Sequence, residues 1–275
     1  MKEIILTFKD IALKTSVDMS VVLPEKLAEM KEDEIKNINL QYGRKKIKLC
    51  DIFDISINDI DGEPKIIIEN SNDYLYHIGE EMTKGEIIVN GNAGMYVGAR
   101  MKGGRIVVNG NVDNWVGQDM FGGEIVVKGD ARDYVGSSYR GDWRGMEGGT
   151  IIIEGNARHE VGEFMLNGLI HIKGNSGIFT GIHLNGGKII VDGDVDVRTG
   201  GEMRKGAIVV KGKIREVLPS FKFVEIVENP IIKVGKKDPG LKVEGTYYKF
   251  IGDYAESAKP KGELYISVDK NPDLI

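Results

Sequence analysis

The chain has 275 residues, 41% of them apolar, and a net charge of −5. That length leaves room for one extended core with end pieces, and so mild a charge calls for neither nucleic acid nor an anionic membrane as a partner. No apolar run approaches membrane-spanning length and the N-terminus lacks a signal-peptide core, so a cytoplasmic protein is expected.

Residues 1–64 read as a small α/β cap. Glu3–Phe8 and Lys46–Phe53 are strand-like, and Pro24–Ile38 predicts a helix with proline in its first turn. The second strand-like run holds Cys50, the single cysteine. One thiol forms no intrachain disulfide and cannot hold an iron–sulfur cluster, so a buried structural thiol is expected. Pro64 precedes Ile66-Ile67-Ile68, which reads as a degenerate first coil ending near Gly79.

Residues 65–218 are a repeat. Blocks open at Gly85, Gly104, Gly123, Gly149, Gly168, Gly187 and Gly206, spaced by 19 residues except for 26 after Gly123. Counting the opening glycine as position 1, position 3 is always Ile and position 5 is Val or Ile. Such β-branched runs between glycines predict short strands with positions 3 and 5 inward and position 4 outward. Position 13, Val97 through Leu218, and the small or branched position 9 predict a second short strand. The position-17 stripe of Met101, Met120, Met146, Met165, Leu184 and Met203 is read as core filler.

Position 7 is Gly91, Gly110, Gly129, Gly155, Gly174, Gly193 and Gly212; position 14 is Gly98, Gly117, Gly136, Gly162, Gly181 and Gly200. Glycine recurring at one place in every coil implies either positive φ or backbone packed too closely for a Cβ. Gly129→Val is therefore expected to destabilise, because a branched residue takes positive φ poorly and its side chain would enter a tight corner. Position 8 is Asn or Asp in six blocks, suited to hydrogen-bonded ladders between coils. The pattern predicts a mainly β fold: a right-handed parallel β-helix of 19-residue coils, with the α/β cap before it and a β-rich extension, residues 219–275, after it. Both end pieces are expected to cover open strand edges.

Two features break the regularity. Seven extra residues enter the third block, in the run Ser137 to Gly145. Tyr139, Arg140, Asp142, Trp143 and Arg144 of this run are partner-contact candidates, because Arg and aromatic residues dominate interface hot spots. Tyr96, Trp115 and Tyr134 share position 12 of consecutive coils. They either stabilise adjacent rungs, seat a partner or lie under a terminal segment. No catalytic constellation emerges. His159, His171 and His183 fall at positions 11, 4 and 16, on different parts of the wall, and no two acids share a position on adjacent coils. Asp113 and Arg132 share position 10 on neighbouring coils and predict an exposed ion pair.

The run G-x-x-G-x-x-x-G, seen at Gly91-Gly94-Gly98 and Gly174-Gly177-Gly181, resembles the C-terminal domain of the glutamate synthase large subunit over about residues 66–218. The whole chain is more similar to the C subunit of formylmethanofuran dehydrogenase of methanogenic archaea. Its length, the run YRGDWRGM at Tyr139–Met146, Phe250-Ile251-Gly252-Asp253-Tyr254 and Gly262-Glu263-Leu264-Tyr265-Ile266 carry that resemblance. The resemblance implies a complex that reduces carbon dioxide and attaches the formyl group to methanofuran. It implies a tungsten or molybdenum pterin, iron–sulfur clusters and a binuclear metal site on pterin-binding, ferredoxin-like and amidohydrolase-like partners, and no cofactor or catalytic residue on this chain. A structural, non-catalytic subunit is the expectation. A β-helix domain of a glutamate-synthase-like amidotransferase is the alternative.

Overall fold

The computed structural model describes residues 1–236 and 238–275. It opens with β1 (Lys2–Phe8) and β2 (Val17–Asp18), then α1 (Pro24–Leu27) and α2 (Glu32–Lys36). The hairpin β3 (Asn39–Tyr42) and β4 (Lys45–Lys48), the turn of helix α3 (Leu49–Ile52) and β5 (Phe53–Asp59) complete the N-terminal part.

Two expectations fail here. The run Pro24–Ile38 is two short helices rather than one. Lys31 is extended, and its backbone N–H donates to Glu34 Oε2 at 2.7 Å. That capping contact restarts the helix inside the run, and helices this short gain little from continuity. The run Lys46–Phe53 is also not one strand, because α3 interrupts it. Leu49 and Ile52 are both buried, and a spacing of three puts them on one side of a helical turn but on opposite faces of a strand. Cys50 sits on that turn, half-buried rather than buried.

The repeat follows as β6 (Lys65–Ser71), β7 (Leu75–Tyr76), β8 (Glu86–Gly91), β9 (Arg105–Val108), β10 (Glu124–Val127), β11 (Thr150–Ile153), β12 (Leu169–Ile172), β13 (Asn185–Val191) and β14 (Lys205–Val210). From β8 to β14 each strand pairs in parallel with the next, and β6 pairs in parallel with β8. The position-3 residues align from Ile66 through Ile87, Ile106, Ile125, Ile151, Ile170, Ile189 and Ile208. The expected second strand shrinks to one parallel bridge per coil, Ala93 to Val112 and onward to Ile214. β1 adds in parallel beside β6, so the large sheet continues into the N-terminal segment.

The inward pattern holds. Positions 3 and 5 are buried in every block, and so is the methionine stripe at position 17. Position 4 is half-buried at Ile88, Ile152 and His171, but Val107 and Val126 are buried, as are Ile190 and Val209 toward the end of the repeat. The C-terminal segment covers these last two: β15 (Lys222–Glu228), β16 (Ile231–Ile232), β17 (Leu241–Lys242), β18 (Thr246–Gly252) and β19 (Lys261–Ser267). Ile190, Ala207 and Val209 pack with Ile232, Val243, Tyr247 and Tyr265 in a second core cluster, while β19 pairs in parallel with β14.

The two glycine columns differ in kind. Position 14 takes positive φ, as at Gly117 (+63°), where a Cβ would also overlap the Ile151 side chain two blocks on. Position 7 does not, apart from Gly91. At Gly129 a Cβ would collide with Asn111 Oδ1 and come within 2.7 Å of the Gly110 carbonyl oxygen. Of the two reasons expected at Gly129, positive φ is corrected and the tight corner remains: a valine there overlaps the preceding block and meets no torsional bar. The colliding amide belongs to the position-8 ladder. Asn92, Asn111, Asp130, Asn156, Asn175 and Asp194 each accept the backbone N–H of the next coil at 2.7–3.0 Å. Two charge ladders went unread in the sequence. Lys65, Glu86, Arg105 and Glu124 alternate in sign at 2.7–3.0 Å at the start of the strands, and Lys128, Glu154 and Lys173 at 2.9–3.1 Å just past their ends.

Candidate functional site

Position 12 is left-handed in six of the seven blocks whatever residue stands there: Tyr96, Trp115, Tyr134, Glu160, Phe179 and Arg198 have φ between +58° and +68°. One shared backbone shape aims these side chains alike, and aromatic residues on neighbouring coils then stack. Tyr96 and Trp115 have centroids 5.3 Å apart at 10°, and Trp115 and Tyr134 4.7 Å apart at 8°. His77 extends the stack beneath Tyr96, at 4.7 Å and 10°. It lies one period before Tyr96, in the degenerate first coil, a signal present in the sequence and overlooked there.

Two residues of the inserted loop, Tyr139 and Arg140, fold back onto this stack. Tyr139 tilts against Trp115 at 6.2 Å. The Arg140 guanidinium lies 5.8 Å from the Tyr134 ring centre and 6.0 Å from that of Trp115, and it donates to Tyr134 Oη at 3.4 Å.

The base of the loop is pinned. Ser137 and Ser138 are buried. The Ser137 hydroxyl donates to the Glu160 carbonyl at 2.6 Å and accepts the Glu163 N–H at 3.2 Å. The Ser138 hydroxyl donates to the Asp142 carbonyl at 3.0 Å, and Asp142 Oδ1 accepts the Trp143 N–H at 2.7 Å. Asp142 thus shapes the loop. Trp143 is 71% exposed and Tyr139 51%. Arg140 and Arg144 are exposed and make no ion pair among the described residues. Two carboxyls at the loop base are perturbed. Burial, reinforced by Glu160 and opposed by Arg140, pushes Glu163 up to about 7. Burial also raises Asp119, opposed by a hydrogen bond from Gln118 and reinforced by Asp142.

The four histidines have separate local surroundings. His77 Nδ1 meets Glu80 at 2.7 Å, His159 Nδ1 accepts the Ile178 N–H at 3.2 Å, His171 Nε2 meets Asp192 at 2.9 Å, and His183 stacks on Phe164. Asp113 and Arg132 approach to 3.6 Å with Arg132 exposed. Among the described residues no three His, Cys, Asp or Glu side chains are placed to hold a metal ion, and no helix is long and apolar enough to cross a membrane.

No protein-family model matches the chain. Over 238 residues it is 70% identical to the C subunit of tungsten-containing formylmethanofuran dehydrogenase 2 of Methanocaldococcus jannaschii, covering 86% of this chain and 87% of the relative. It is 64% identical to the same subunit of Methanococcus maripaludis over the full length of both. The structure superposes, with a TM-score of 0.81 and 26% identity, on a chain in the crystal structure of the formyltransferase/hydrolase complex from Methylorubrum extorquens with methylofuran, covering 96% of this chain and 99% of that one. With full-length identity this far above what chance allows and a fold shared with a chain of such a complex, the chain belongs to the family of the C subunit of tungsten-containing formylmethanofuran dehydrogenase.

Proposed function

We propose that this chain is a non-catalytic scaffold subunit of a formylmethanofuran dehydrogenase complex, and that the inserted loop with its aromatic stack docks onto a catalytic neighbour. The rod on which the loop sits is read as a right-handed parallel β-helix over residues 65–218, capped by residues 1–64 and 219–275. The parallel ladder in 19-residue steps and the second line of bridges support that winding, and right-handedness follows the rule for parallel crossovers.

One observation carries the docking role: a pinned loop holds Tyr139, Arg140, Trp143 and Arg144 in solvent. Ordering seven extra residues costs entropy, and the coil gains no core packing from their exposed side chains. A partner surface that buries them gives the return. The tungsten or molybdenum pterin, iron–sulfur clusters and binuclear site that the family implies belong, on this reading, to pterin-binding, ferredoxin-like and amidohydrolase-like subunits. The donor set here does not fit them. Cys50 is a lone thiol, and the four histidines have different neighbours, Glu80, Ile178, Asp192 and Phe164.

Replacing Arg140, Trp143 and Arg144 together with Ala is expected to weaken co-purification with the other subunits while leaving the melting temperature of the isolated chain nearly unchanged. A folded triple variant that assembles with wild-type affinity overturns the docking role.

A further inference from the structure

Toward the later coils, Trp143 lines a cleft of about 280 Å³ with Phe164, His183, Glu202, Arg204 and Glu256. Phe164 and His183 stack at 4.4 Å and 7°, which makes a flat aromatic wall. Both occupy position 16 of their coils, one period apart, and both have positive φ (+55° and +54°). The shared backbone geometry aligns the rings just as it does at position 12.

Polar groups in the cleft are only partly used. Arg204 Nε donates to Glu256 Oε1 at 2.6 Å, and His183 Nδ1 stands 3.4 Å from Glu202 Oε2. Arg204 reaches Glu256 through Nη2 as well, so Glu256 is taken and Glu202 is the carboxylate in the cleft with no guanidinium or ammonium beside it among the described residues. Trp143 is held at its backbone by Asp142, and the next turn of the loop is tied down where the Gly145 N–H donates to the Phe164 carbonyl at 3.0 Å. The ring is thus placed by its loop yet left uncovered.

We propose that this cleft takes the guanidinium of an arginine side chain from a neighbouring subunit. A planar cation stacks on aromatic faces and offers a fork of N–H donors to carboxylates, which matches both kinds of lining. A partner carboxylate would meet the like charge of Glu202, and an apolar side chain would cover Glu202 while leaving it only the 3.4 Å contact with His183. The volume suits one side chain rather than a helix or strand. The inference rests on the docking role of the loop and names the chemistry of the partner at that site.

The chain has two tryptophans, so Trp115→Phe leaves Trp143 as the sole tryptophan reporter in the full chain. Titrating that variant with N-acetylarginine amide should give a saturable fluorescence change. The uncharged isostere N-acetylcitrulline amide should bind at least about threefold more weakly, as expected for one cation–π contact plus charge. Glu202→Gln/Glu256→Gln should abolish the preference and, in the assembled complex, weaken association of this subunit by at least about threefold. Trp143→Ala, which removes an exposed ring, gives the same assembly readout should the double variant fold poorly. Equal binding of the two amides overturns the proposal. So does a guanidinium preference in the free chain with wild-type assembly of Glu202→Gln/Glu256→Gln, which would mean a small free cation instead of a subunit. If assembly is lost in the Arg140, Trp143 and Arg144 variant but not in the glutamate variant, the cleft assignment fails and the docking role stands.

Discussion

Glu163 is the residue whose ionisation is most plainly set by the inserted loop. Its carboxyl is moved from 4.5 to about 7 by burial, with Glu160 adding and Arg140 opposing. The folded chain therefore binds this proton more tightly than the unfolded chain. The stabilising contribution is fully present below about pH 4.5 and is lost as pH rises through about 7. Glu163→Gln is expected to flatten the fall in melting temperature between about pH 5 and pH 8 and to raise stability at the alkaline end. An unchanged pH profile by thermal unfolding would show that the carboxyl is already ionised in the fold. Asp119 is shifted in the same direction, so some pH dependence should persist in the variant. None of this was legible in the sequence. Glu163 reads as an ordinary surface acid until the fold buries its carboxyl beside Glu160.

Among the elements, the stack His77–Tyr96–Trp115–Tyr134 links four successive coils on one strip. Trp115 contacts a ring above and a ring below, at 4.7 and 5.3 Å, and carries Tyr139 and Arg140 on its open side. Aromatic pairs contribute about 0.5–1.5 kcal/mol each beyond area burial, so Trp115→Ala is expected to cost about 1–3 kcal/mol in urea unfolding. Tyr134→Phe keeps the ring and loses only the 3.4 Å hydrogen bond from Arg140, so its cost should stay below about 1 kcal/mol. Equal losses in the two variants would show that stacking is not the source. The column of rings was visible in the sequence as a shared position. What the strip does was not, because the choice between rung stabiliser and partner seat depends on the loop that lies across it.

For the whole molecule, the C-terminal segment decides where the sheet stops. β19 pairs with the last repeat strand β14, β18 pairs with β19, and the open edge passes to β15. Tyr247 and Tyr265 cover Ile190, Ala207 and Val209. A chain ending at Leu218 would expose both the β14 edge and that apolar face, two features that promote association. It is expected to form higher-order species by light scattering, and a monomeric truncated chain with an unchanged melting temperature would show that the segment is not a cover. The amino-acid sequence by itself determined the 19-residue period, the inward stripes of Ile, Val and Met, the glycine columns and the place of the irregularity, because each is a periodic constraint that every coil must satisfy in the same way. Tertiary structure alone decided the rest. It broke the expected helix at Lys31, reduced the second strand to single bridges, gave Gly129 a steric rather than a torsional reason, and brought Arg140 onto Trp115. The bridges and the overlap at Gly129 recur with the period, but their form depends on how closely successive blocks pack; the break at Lys31 and the contact of Arg140 with Trp115 rest on side-chain contacts that no repeat pattern encodes.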